Sequence, residues 1–114
     1  MGAGSSGYNE CYKHIVRFNE VDPYGIVHHS VYLVWAETGM QNYLSDAGLF
    51  TKYEVEKISC KYISPAHDRD EVTVRIRLDK EADVNAGVLF FSFEISISNR
   101  PLVRGKISVR KEES

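Results

Sequence analysis

The stretch Glu20-Val-Asp22-Pro-Tyr-Gly25-Ile-Val-His28-His29-Ser-Val-Tyr32 holds the densest group of reactive side chains in the chain. It sets a carboxylate before a glycine turn and places two histidines at the expected start of a helix. Unpaired N–H groups at a helix N-terminus carry partial positive charge and favour an anion or a polarised carbonyl. Asp22, a few residues upstream, can attack a carbonyl held there or activate a water to do so. The same residues also make a good turn, in which Asp22 caps the backbone and the histidines are surface groups. Spacing alone leaves both readings open.

Other chemistries have less support. His14, His28, His29 and His67 with Asp22, Asp68 and Asp70 offer nitrogen and oxygen donors, but no HxH or HxxxH spacing. No metal is therefore expected. Cys11 and Cys60 are far apart and form no CxxC pair, which reads as two reduced thiols in a cytoplasmic protein. Cys60 also falls where strand alternation would bury it, and a buried thiol is a poor nucleophile.

The elements that must position Asp22 and His29 follow from periodicity. A strand is predicted over Tyr12–Asn19, ending at the Pro23 and Gly25 turn. A helix is predicted from Ser30, its N-cap, to Ala47, with Gly48 as its left-handed stop. Tyr32, Trp35, Ala36, Gly39, Met40, Tyr43, Leu44 and Ala47 recur at steps of three and four, and Val31, Leu33 and Val34 widen the stripe. So wide a stripe predicts a helix covered on most sides. On such a helix Glu37 must be paired or protonated, which makes it a further functional or interfacial candidate. Val72, Val74, Ile76 and Leu78 alternate with polar residues, as do Phe91, Phe93, Ile95 and Ile97. Val55–Ile63 and Val103–Val109 are two more strands. One helix and five strands make an α+β fold, an antiparallel sheet with its dry face on the helix. The free sheet edges and the plain serine face of Phe91–Ser98 predict a homodimer or a larger assembly.

At 114 residues, 43% hydrophobic and with net charge −2, the chain reads as one domain over residues 8–111. Residues 1–7 are a flexible segment or cloning scar without the features of a secretory signal, and 112–114 are a tail. The charge balance argues against a nucleic-acid partner, and no apolar run of about 18 residues provides a membrane span.

Arg17-Phe18, Asp22, Gly25, Val27, His29, Tyr32, Trp35 and Glu37 occur in an order that resembles the hotdog-fold acyl-CoA thioesterases of the 4-hydroxybenzoyl-CoA thioesterase-like group. Ser59-Cys-Lys-Tyr62-Ile-Ser-Pro65-Ala66, followed by Asp70-Glu-Val72, is similar to that family's next strand and turn. The resemblance implies a five-stranded sheet wrapped around one long central helix, and hydrolysis of an acyl-CoA to acid and thiol. It makes Asp22 the nucleophile or general base and His29 the residue whose N–H polarises the thioester, with its imidazole an orienting or acid–base group. Gly25, Ile26 and Val27 would then form a wall along the thioester, and Tyr24, Tyr32, Ile63, Ser64 and Pro65 the acyl pocket. It further implies a dimer or tetramer with the site at a subunit interface, and no cofactor beyond the coenzyme A of the substrate. Arg69, Arg75, Arg100 and Arg104 are the candidates for its phosphates. A hotdog domain that binds acyl groups or partners without turnover is the alternative.

Overall fold

Alternating side chains build one sheet, and its dry face takes the helix. In the computed structural model, which describes residues 7–49, 52–79, 83 and 85–112, β1 (Asn9–Ile15) leads to α1 (His29–Asp46). Four strands follow: β2 (Tyr53–Tyr62), β3 (Glu71–Leu78), β4 (Val88–Ile97) and β5 (Arg100–Lys111). All neighbours are antiparallel, in the order β1-β3-β4-β5-β2. This is the expected α+β architecture. The predicted segments 1–7 and 112–114 lie outside the described residues, except for Gly7 and Glu112.

Val72, Val74 and Ile76 of β3 and Phe91, Phe93 and Ile95 of β4 turn inward against Tyr32, Trp35, Ala36, Met40 and Leu44 of α1. Gly39 sets how closely the helix approaches. A Cβ there would lie 2.7 Å from Val74 Cγ1, too near for an unshifted packing. Gly105 plays the same part within the sheet: a side chain on it would run into the Ser59 carbonyl and the Phe93 ring.

Four expectations are corrected. The helix begins at His29 with His28 as N-cap, one residue before the Ser30 start. The backbone decides this, since His28 accepts from Val31 N–H at 3.0 Å and donates to the Glu20 carbonyl at 3.1 Å. The first strand ends at Ile15, and Phe18–Glu20 forms a single 3-10 turn. The helix is not covered on most sides: it packs with one side on the sheet, and Val34 is 60% exposed. Finally, the serine face of β4 is not plain. Arg75 donates to Ser96 Oγ at 2.6 Å, Arg77 to Ser92 Oγ at 3.2 Å, and Ser92 donates to Asp79 Oδ1 at 2.8 Å. Ser92 and Ser96 are buried within their own chain.

Ser98 and Asn99 join β4 to β5 as a two-residue hairpin. Ser98 and Asn99 have φ of 48° and 68°, the two positive values that a type I′ turn requires. Gly48 ends the helix at φ 66°, in the predicted left-handed conformation.

Candidate active site

Between the 3-10 turn and α1, the chain makes a small closed loop. Val21 and Val27 pair across it, Asp22 N–H donates to the Ile26 carbonyl at 2.8 Å, and Gly25 N–H donates to the Asp22 carbonyl at 2.9 Å. Gly25, with φ 79°, takes the position that a side chain would strain. The Asp22 carboxylate belongs to the turn as well. Its Oδ1 accepts from Tyr24 N–H at 2.8 Å and from Ile26 N–H at 3.2 Å. The turn-capping reading is thus realised, and yet it uses one oxygen only. Oδ2 has no hydrogen bond among the described residues.

Next to this loop opens a cavity of about 170 Å³, lined by Ile26, Val27, His29, Tyr32, Tyr62, Ile63, Ser64 and Pro65. Seven of these eight are sequence candidates, drawn together from the loop, the helix start and the end of β2. Val27 N–H donates to the Ala66 carbonyl at 3.0 Å, and Ala66 N–H donates to the Tyr32 hydroxyl at 2.9 Å. These two bonds tie the loop, the helix and the turn after β2 to one another. His29 and Ser30 stand in the first turn of α1, and their N–H groups have no hydrogen bond among the described residues. They are available to an incoming oxygen.

Tyr62, which the sequence marks only as part of the strand before Ile63, is the eighth wall residue. Its ring stacks on the His29 imidazole, centroids 4.2 Å apart, and its hydroxyl donates to the His29 carbonyl at 3.0 Å. Burial, with the neighbouring Cys60 thiol, pushes its hydroxyl up to about 12, so it stays a neutral donor through the physiological range. Burial likewise raises the Tyr32 hydroxyl. Tyr62 was within reach of sequence reasoning, because it ends the strand that delivers Ile63, Ser64 and Pro65.

The remaining candidates are elsewhere. Tyr24 is 87% exposed on the loop tip, and neither it, Gly25 nor Asp22 is on the cavity wall. Glu37 is half-buried farther along the helix, beside Tyr53 and away from the cavity. Among the arginines, Arg75 faces Glu10 and Glu94, and Arg104 faces Glu94, on the far side of the sheet. Arg100 is at the cavity instead, donating to Ser64 Oγ at 3.3 Å. Among the described residues, no group of three His, Cys, Asp or Glu side chains is arranged to hold a metal. No helix among them is long and apolar enough to cross a membrane.

The sequence matches the family model of the Thioesterase superfamily over residues 24–83. No curated protein matches it. Solved structures share its fold. A Thermus thermophilus thioesterase, complexed with coenzyme A and zinc, superposes at a TM-score of 0.81 with 21% identity, over 96% of this chain and 83% of that one. A hypothetical protein from Thermus thermophilus gives 0.78 and 27%, over 90% and 82%. A 1,4-dihydroxy-2-naphthoyl-CoA thioesterase from Synechocystis gives 0.76 and 19%, over 94% and 88%. The five-stranded antiparallel sheet on one long helix is the hotdog fold of these thioesterases.

Proposed function

Because this chain belongs to the thioesterase superfamily, we propose that it hydrolyses an acyl-CoA thioester to free acid and thiol, with Asp22 as its catalytic carboxylate. One observation carries the reading: Asp22 is fixed by two N–H groups through Oδ1 and keeps Oδ2 without a hydrogen bond among the described residues, on the loop whose Ile26 and Val27 enter the cavity wall next to the open helix start. The acyl group enters among Tyr32, Tyr62, Ile63, Ser64 and Pro65, along the wall of Ile26 and Val27. The thioester oxygen meets the His29 N–H, where partial positive charge favours the negative charge of a tetrahedral intermediate. Oδ2 attacks the carbonyl carbon, or takes a proton from a water that does. In the first case the C–S bond breaks to leave an acyl–Asp22 anhydride and a thiolate; water then splits the anhydride, releasing the free acid and restoring the carboxylate, and a proton from that water goes to the thiolate. In the second case the intermediate collapses, the C–S bond breaks, and the thiolate leaves with the proton that Asp22 had taken. A thioester suits so light an apparatus, since its carbonyl is weakly resonance-stabilised and needs no metal or other cofactor. Arg100, beside Ser64, is placed to meet a coenzyme A phosphate.

The proposal includes a homodimer or tetramer with the site at a subunit interface. Exposed Phe18 and Tyr24 beside the Asp22 loop, and the free edges of β1 and β2, support it. Two free cysteines fit a cytoplasmic setting. A non-catalytic acyl- or partner-binding module is the second reading, favoured by the fact that turn geometry alone accounts for Oδ1.

Thiol release from benzoyl-, short-chain and long-chain acyl-CoA, wild type beside Asp22→Asn, decides between them. Asparagine keeps the Oδ1 acceptor and removes the charge. Turnover is expected to fall by about a hundredfold or more in a variant that stays folded. Activity that survives the substitution rules out Asp22, and a folded wild type inert on the whole panel favours the binding module.

A further inference from the structure

Glu20 stands two residues before Asp22, and nothing in the proposed reaction uses it. Its side chain is 18% exposed, and three donors from separate parts of the chain converge on it. His14 Nε2, from β1, is 2.8 Å from Oε1; Arg17 N–H donates to the same oxygen at 2.8 Å; the Trp35 indole N–H, from α1, donates to Oε2 at 3.2 Å. An ionised carboxylate only accepts, so His14 Nε2 carries the hydrogen. In the neutral ring Nδ1 is then free to accept from the Tyr12 hydroxyl, 2.9 Å away. Burial works to raise the Glu20 carboxyl. The bonds from His14, Arg17 and Trp35, with the charge of His14, outweigh it and hold the group below the ordinary glutamate range.

The backbone of the same residue closes the loop. The Glu20 carbonyl accepts from His28 N–H at 3.1 Å, so residues 21–27 are pinned where they begin and end. The far arm of the loop has a tether of its own, since Val27 bonds to Ala66 and Ile26 bridges to His67. Asp22 is on the near arm, and Glu20 is what joins that arm to β1 and α1.

We propose that Glu20 is a positioning residue, holding the near arm of the Asp22 loop in register with the helix start through its bonds to His14 and Trp35. The reaction it serves is the thioester hydrolysis proposed above; the clamp itself rests on contacts alone. A shift of about 1 Å in a reacting group can cost around a hundredfold in rate, so a loosened arm acts on turnover more than on binding. A buried pair that serves stability alone would lower the melting temperature and leave the folded fraction's turnover unchanged.

The test pairs Glu20→Gln with His14→Ala and the double variant. Glutamine keeps the length but presents an N–H to a donor. Hydrogen exchange is followed by mass spectrometry across residues 20–28, beside kcat and KM on the acyl-CoA that wild type turns over fastest. Loop exchange should quicken about tenfold while β3 to β5 stay protected. A roughly tenfold fall in kcat with KM within about twofold should accompany it, and the double variant should be no worse than the weaker single. Unchanged loop exchange, or kcat within about twofold of wild type in folded Glu20→Gln, overturns the proposal. A wild type with no turnover overturns the hydrolase reading instead, and loop exchange then decides the clamp by itself.

Discussion

On the outer face of the sheet, Glu10, Arg75, Glu94 and Arg104 form a row across four strands, and beside it Arg77, Ser92, Asp79 and Lys106 form a second group. Around the loop before α1, Phe18, Tyr24, Val34 and Ile63 lie exposed. The first surface is polar in sequence and cross-linked in structure: Ser92, Ser96 and Asp79 are buried beneath exposed Glu10, Arg104 and Lys106, and a cavity of about 310 Å³ opens beside Asp79 and Lys106. The second is apolar and open. Many of the polar side chains on the sheet are paired with one another. Large apolar side chains left in water beside an aromatic cavity call for a partner, whether substrate or a second copy.

The sheet side of that contrast is the more sensitive to change. Gly105→Ala should have the largest effect, because the added methyl meets backbone at Ser59 and the Phe93 ring at once. A loss of roughly 2–4 kcal/mol in urea unfolding is expected, in line with overpacking and backbone shift. A loss under about 0.5 kcal/mol would mean that β2 and β5 can part without cost. Ser92→Ala comes next. It takes a donor from the buried Asp79, and about 1.5–3 kcal/mol should go, the range for a hydrogen bond to a charged group. An unchanged melting temperature would show the face to be wetter than the contacts indicate.

Phe18→Ser should change least. At 82% exposed, its loss should move monomer stability by no more than about 0.5 kcal/mol. Sedimentation at several concentrations should nonetheless show weaker self-association. A large fall in stability of dilute protein would place Phe18 in its own chain's core and remove the contrast.

How much of this was legible in the sequence depends on the range of the interactions. Strict alternation in 72–78 and 91–97 marked β3 and β4, and spacing marked α1, because both patterns are local. Asp22 in its turn was legible for the same reason. The helix start was displaced by one residue because a bond from His28 to Glu20, eight positions back, fixes it. Such a contact leaves no trace in spacing. Tyr62 was not legible as a site residue because its partner His29 is 33 residues away in sequence, and stacking across that distance is a product of the fold. The convergence on Glu20 draws on β1, the turn and α1, and was hidden for that reason. The width of the helix stripe misled in the other direction: side chains predicted as covered are where the chain meets solvent.

One feature of the Asp22 turn bears on how such a protein can evolve. The oxygen that shapes the loop and the oxygen that the proposed reaction uses belong to the same carboxylate. Asparagine would preserve the first and abolish the second, and aspartate and asparagine codons differ by a single base. On the reaction proposed above, a gene of this kind can lose turnover and keep its folded loop in one mutational step. The reverse step is as short.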